Sequence, residues 1–427
     1  MNEFWNLQTL YTGFDDPCYD ADMTALKEKV AEMAQLSAGL ETLAPIEGLR
    51  KGIALQEQVQ SLVMKLAEYA QLRQSANTRD GEAGSMMGRI MSIYSGFAAP
   101  GAAFESWAAK IPNLPELVAQ DDFLKDYTYL FSNLLESSRH LLEGRGEEIM
   151  AKMRMSGGDA WSEMQSYLTS TVPVTYRGET TNLSSIRNLA YDPDPQVRKE
   201  AYEAELAAYD RIKDPVAFAL NSIKLETISD CQLRGYESPL MRTLKHSHME
   251  KATLDAMFAA IDEYSPKFWQ YLRAKAKALG HENGLPWYDL FAPMGKSSTK
   301  FTAEAARDYL VEQFSGFDQE LADMVARAFD EEWIDFYPRD GKVGGAFCAG
   351  VECRKESRIL TNFDGMFGDV VTLAHELGHA FHNQCIFDHR PLNQDYSMPV
   401  AETASPNAGA SPPSACQRLA AESSQEL

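Results

Sequence analysis

The sequence predicts a mainly α protein with one small β-sheet. Three observations carry this expectation. Apolar residues in the first part of the chain recur at spacings of three and four, the signature of helices with one buried face. Gly- and Pro-containing breaks then cut the chain into helix-length segments. A single stretch, 341–362, departs from helical periodicity and combines glycines with β-branched residues and Phe347. With 427 residues, 44% of them apolar, the chain is long enough to bury a large core, divided into two or three units.

Taken in order, Met23, Leu26, Val30, Met33, Leu36 and Leu40 form the first stripe, and Leu55, Val59, Leu62, Leu66 and Tyr69 the second. Two long amphipathic helices joined near Pro45-Ile46-Glu47-Gly48 are therefore expected to pack as an antiparallel pair. Such stripes are core and carry no chemistry. Breaks at Pro100-Gly101, Gly144-Arg145-Gly146 and Gly157-Gly158 separate further helices. The stretch Val172-Pro173-Val174-Thr175-Tyr176-Arg177-Gly178 reads as a junction, after which helices resume from about Asp194. The expected organisation is a helical domain over 1–180, a second domain over 181–405 and a tail over 406–427.

The most informative residues are His375-Glu376-Leu377-Gly378-His379. Two histidines four apart on a helix project from one face about one turn apart, so both imidazoles reach a single zinc ion. Glu376 then lies beside the open position of the metal. There it can take a proton from the attacking water and pass it to the leaving amine of a cleaved peptide, the general-base role in a metallopeptidase. The flanks fit a helix buried beneath a cleft: Thr372, Leu373, Ala374, Ala380 and Phe381 are uncharged, and Asp369 is the expected N-cap. The competing reading is a buried helix whose histidines only satisfy hydrogen bonds.

Zinc requires a third protein ligand and leaves a fourth position for water. Glu402 is the candidate. Ser397 or Met398 before Pro399 reads as a helix start, since proline is tolerated in the first turn, and a helix crossing the first would present Glu402 to the metal. By itself, a glutamate in a first turn is equally explained as a partner of the helix dipole.

His375 to His382, followed after a polar connection by Pro399-Val400-Ala401-Glu402-Thr403-Ala404-Ser405, resembles the oligoendopeptidase F family, relatives of thimet oligopeptidase. Further stretches carry the resemblance: Tyr191-Asp192-Pro193-Asp194, Arg234-Gly235-Tyr236-Glu237-Ser238 and Trp287-Tyr288-Asp289-Leu290-Phe291-Ala292-Pro293. Asp335-Phe336-Tyr337-Pro338-Arg339-Asp340-Gly341-Lys342, Gly345-Ala346-Phe347-Cys348 and Arg358-Ile359-Leu360-Thr361-Asn362-Phe363 extend it, so that it runs from about Thr175 to Ser405. It implies a helical, zincin-type peptidase fold with the small sheet beside the HExxH helix. It also implies one Zn2+ per chain on His375, His379 and Glu402, Glu376 as catalytic base, and oligopeptide substrates. An exposed edge of that sheet is then expected to pair with an extended peptide.

The resemblance breaks off after Ser405. Members of the family continue, typically through Thr-Phe-Asn-Glu, into a C-terminal helical segment with substrate-binding tyrosine and histidine groups. This chain reads Pro406-Asn407-Ala408-Gly409-Ala410-Ser411-Pro412-Pro413-Ser414 and contains no tyrosine or histidine after Tyr396. Pro406 lacks the N–H that would bond the carbonyl of Glu402, so the helix is expected to break there and 406–427 to form a disordered tail. The pattern is that of a frameshift or truncation. Two functional expectations follow: a zinc-dependent oligoendopeptidase, or an impaired relative that retains the scaffold and partial metal binding.

Bulk properties exclude other classes. A net charge of −22 argues against nucleic acid and anionic membranes as partners. Met1-Asn2-Glu3-Phe4-Trp5 has no basic and apolar leader, and no apolar run reaches spanning length, so the expected location is cytoplasmic. The six cysteines, at 18, 231, 348, 353, 385 and 416, follow no disulfide or zinc-ribbon spacing and read as reduced. His382 shares a face with the motif histidines but lies about 10 Å along the axis from His375, too far for the same ion. It is expected to be a cleft-wall or packing residue, while His140, His246, His248, His281 and His389 receive no role.

Overall fold

The structure is a computed structural model that describes residues 3–142, 146–294, 300–339 and 341–403. Packing divides the chain into two compact units, one built from Met1–Arg139 with Ser298–Leu427 and the other from His140–Ser297. The sequential division at 180 does not follow this packing. Helix Gly158–Thr171, expected in the first domain, lies against helix Pro195–Leu233, and the first helices of the chain share a core with the sheet that precedes the HExxH motif. Hydrophobic burial joins segments distant in sequence, so the division follows the cores.

In the unit His140–Ser297, the junction stretch forms a hairpin of β1 (Val174–Tyr176) and β2 (Glu179–Thr181), paired antiparallel. Arg177 and Gly178 make its two-residue turn with φ of 50° and 85°, the left-handed pair that a tight hairpin requires and that glycine eases. Helix Pro195–Leu233 starts where expected: Asp194 caps it by accepting from the Gln196 N–H at 2.8 Å. Val172, Val174, Ile186, Ala201 and Ile212 form the adjoining core. Arg198 is buried and holds Asp289 with its Nε at 2.9 Å and Nη2 at 2.7 Å; His281 Nε2 reaches the other carboxylate oxygen at 2.5 Å. His281, given no role from sequence, is thus a second side-chain partner of the buried Asp289.

In the other unit, the two stripes form helices Pro17–Gly39 and Pro45–Ala76, which pack against each other. Met23, Leu26, Val30, Val59, Leu66 and Tyr69 are buried, and Tyr11, Phe14, Tyr19 and Tyr69 meet edge to face around 5 Å apart. The break expected at Pro100-Gly101 falls earlier. Helix Gly81–Ser95 ends before Gly96-Phe97, and Pro100 sits in the first turn of helix Ala98–Ala109, where its missing N–H costs no helical bond.

The sheet contains a strand that sequence reading did not anticipate. β3 (Ile334–Asp335) pairs in parallel with β5 (Glu356–Leu360), which pairs antiparallel with β4 (Phe347–Val351), giving the order β3-β5-β4. A two-residue strand is too short to show an alternating pattern. Asp335 instead anchors it through a bidentate pair with Arg339 and a 2.6 Å contact with the fully buried Lys342 ammonium. Lys342 also donates to the carbonyls of Tyr337 and Thr361, binding the loop to the sheet. The tail 406–427, with the break expected at Pro406 and Cys416, lies outside the described residues. No described helix is long and apolar enough to cross a membrane.

Candidate metal centre

Helix Phe367–Ile386 carries the motif. It starts one turn earlier than expected, with Met366 as N-cap. Asp369 acts from the third helical position, its carboxylate accepting from the N–H of Met366 at 2.9 Å and of Asp364 at 3.0 Å. Val370, Leu373, Ala374, Leu377 and Ala380 form the apolar face, buried against Leu310, Phe314, Val325, Trp333 and Ile359. The histidines therefore have to lie off that face, toward the opposite side.

Behind the motif, Asn383 binds the helix to the sheet by donating to Ser357 Oγ of β5 at 3.1 Å. Gly350 of β4 passes so close that a Cβ there would lie 3.2 Å from the Asn383 amide. Asn383, four residues after His379, was overlooked in the sequence. Its spacing was the available signal, but an amide at that spacing more often points to solvent.

The chain is helical again over 398–403, the last described residues, and the helix begins at the expected place: the Ser397 carbonyl accepts from the N–H groups of Val400 and Ala401. It brings Glu402 Oε2 to 3.6 Å from His375 Nε2 and 4.0 Å from His379 Nε2. The two imidazoles stand nearly perpendicular, 4.9 Å between centroids. One donor atom from each of the three residues falls within 4.8 Å of the others, the single cluster of at least three such donors among the described residues. Tetrahedral zinc with bonds near 2.0–2.1 Å sets ligand atoms roughly 3.4 Å apart, so Glu402 Oε2 is within a few tenths of an ångström of the required distance from the two imidazole nitrogens, while the widest pair of the set would have to close by up to about 1.4 Å, a side-chain adjustment. Two nitrogens and one carboxylate oxygen also match the donor type zinc accepts.

Glu376 is buried, and burial, with the Glu402 charge as a second contribution, pushes its carboxyl up to about 7. Burial, followed by the neighbouring His375, lowers the pKa of His379 and so favours the neutral imidazole that a metal needs. Cys348 on β4 is half-buried, and desolvation, followed by the charge of Glu376, raises the pKa of its thiol. His382 lies outside the donor cluster, as its spacing required. Its ring packs on Tyr396 at 4.4 Å, and its Nδ1 is buried without a hydrogen-bond partner among the described residues. Tyr396 carried no sequence signal, because only the chain's return past the helix brings it there.

Comparison with known proteins follows the same lines. The model of Peptidase family M3 matches residues 188–407, and that of Oligopeptidase F matches 112–172. An "Oligoendopeptidase F homolog" of Lactococcus lactis subsp. lactis is 24% identical over 421 residues, 94% of this chain and 67% of that protein. "Oligopeptidase PepF" of Bacillus subtilis is 22% identical over 413 residues, 94% of this chain and 60% of that protein. The chain thus spans about two thirds of the length of these relatives. Among solved structures, oligoendopeptidase-F from Enterococcus faecium shares the fold with a TM-score of 0.61 at 16% identity, over 92% of this chain and 66% of that one. PZ peptidase A does so with a TM-score of 0.66 at 17% identity, over 90% and 67%.

Proposed function

The chain belongs to peptidase family M3, with the oligoendopeptidase F metalloendopeptidases, and on that premise we propose that it is a zinc-dependent oligoendopeptidase cleaving internal bonds of short peptides. His375, His379 and Glu402 would hold one Zn2+, and Glu376 would be the general base. The observation that carries the reading is the meeting of three neutral-or-anionic donors beside a buried carboxylate. Zinc held there would polarise the scissile carbonyl and acidify the attacking water.

The remaining chemistry falls to the protein's own groups. A Glu376 carboxylate oxygen accepts the proton of the attacking water and returns it to the departing amine. The free edge of β4 offers main-chain groups to an extended peptide, a contact that depends little on side chains. A cytoplasmic location suits the five described cysteines, all of them unpaired.

The test is cleavage of an internally quenched oligopeptide by the purified 427-residue chain. Activity should vanish with chelator, return with zinc, and fall by roughly a hundredfold or more in Glu376→Gln. Cleavage that ignores chelator, or persists in the variant, places the activity elsewhere.

A further inference from the structure

The 28-residue helix Lys251–Ala278, within the unit His140–Ser297, buries only Lys275 and Ala276 at its C-terminal end. There the Lys275 ammonium donates to the Leu290 carbonyl at 2.8 Å. Over the rest of its length no other helix or strand packs along it among the described residues. Lys251 pairs with Asp255 and the Ser265 hydroxyl donates to the Ile261 carbonyl, both within the helix itself. A helix in water draws most of its stability from packing an apolar face, so this one calls for a partner.

Such a face is present and open. Leu254, Met257, Ile261, Tyr264, Phe268 and Tyr271 follow alternating steps of three and four, an unbroken heptad seam, and Phe258 and Trp269 widen one flank of it. From Met257 onward these side chains are 46–66% exposed. Together they leave roughly 700 Å² of largely apolar surface in water, more than a monomer ordinarily shows and close to the ~800 Å² that each partner buries in a specific interface.

The charges of the helix are divided along its length. Asp255, Asp262 and Glu263 occupy the first half, and Lys267, Arg273 and Lys277 the second. Antiparallel pairing of two such helices sets acidic half against basic half, whereas parallel pairing opposes like charges. The net charge of −22 is not concentrated here, for the helix carries five Lys and Arg against three Asp and Glu. One helix thus supplies both sides of the match, which singles out a second copy as its occupant.

We propose that this face is a two-fold interface between copies of this chain, formed by antiparallel packing of their Lys251–Ala278 helices. A seam centred between Asp262 and Glu263 sets Leu254 of one copy opposite Tyr271 of the other, Met257 opposite Phe268 and Ile261 opposite Tyr264, so that every seam position meets another.

Analytical ultracentrifugation of the 427-residue chain, from roughly 0.1 to 100 μM, should show a monomer–dimer equilibrium. Ile261→Glu with Phe268→Glu places like charges across the seam and should weaken dimerisation by roughly a hundredfold or more. Its helical circular dichroism should match the wild type, because both side chains face water in the monomer. Cross-linking tests the direction in chains that keep the rest of the seam. When Met257→Cys and Phe268→Cys chains are mixed, a short bis-maleimide linker should join 257 to 268, and links between two 257 or two 268 positions, about 16 Å apart along the axis, should be absent. A parallel pair reverses that pattern and overturns the proposal. A chain that stays monomeric throughout the range overturns it too, as does a dimer that the double variant leaves intact. Hydroxyl-radical footprinting at Phe268 and Tyr271 should show protection that rises with protein concentration; protection independent of concentration would assign the face to a segment of the same polypeptide and refute the interface.

Discussion

Replacing Glu376 by glutamine probes the site without any substrate. In the metal-free protein the carboxyl is buried, and its pKa stands at about 7 against 4.5 for an exposed glutamate. The folded state therefore binds the Glu376 proton more tightly than the unfolded state does. Between pH 4.5 and 7 folding takes up a proton, so stability falls as pH rises through this window and levels off above it. The difference of about 2.5 units corresponds to about 3 kcal/mol as an upper bound. Glutamine has the shape of the neutral acid and cannot ionise, so the variant should escape this loss. Urea unfolding in chelator, at pH 5 and pH 8, reads the effect as a difference of differences in which titrating groups not coupled to Glu376 cancel. Glu376→Gln should be near neutral at pH 5 and stabilising by about 1–3 kcal/mol at pH 8. An identical pH dependence for both proteins would show that Glu376 is solvated, and the buried-base argument would fail with it.

Three further outcomes are expected. His379→Ala should remove bound zinc in metal analysis, and added zinc should raise the Tm of the wild type but not of the variant, because only an intact site couples binding to folding; equal zinc content in both would rule out the ligand set. Leu377→Ala empties a fully buried position between the HExxH helix and its core, and should cost about 2–5 kcal/mol by denaturant unfolding. Arg198→Met leaves Asp289 buried without its main partner and should cost about 3–5 kcal/mol, partly recovered by adding Asp289→Leu; a surface-like loss under 1 kcal/mol would contradict the buried pair.

Much of the fold was legible because helical periodicity is local. Leu26, Val59 and Leu66 declare a buried face by spacing alone, and the structure buries them. Where legibility failed, the causes were also physical. Pro100 looks like a break, yet the first turn of a helix accepts proline as readily as a loop does. β3 has two residues and is held by Asp335 through Arg339 and Lys342, contacts with no periodic trace.

The sequence by itself determined the pairing of His375 with His379, because a turn of 3.6 residues sets residues four apart on one face whatever surrounds them. It determined the start of the 398–403 helix for a similar reason, since Pro399 is compatible with only a few backbone states. Only the tertiary structure decided that Glu402 Oε2 comes within 4.0 Å of both imidazole Nε2 atoms and that Asn383 meets Ser357. These meetings join segments tens of residues apart. They are set by how whole hydrophobic faces pack, a sum over many side chains that no short motif contains.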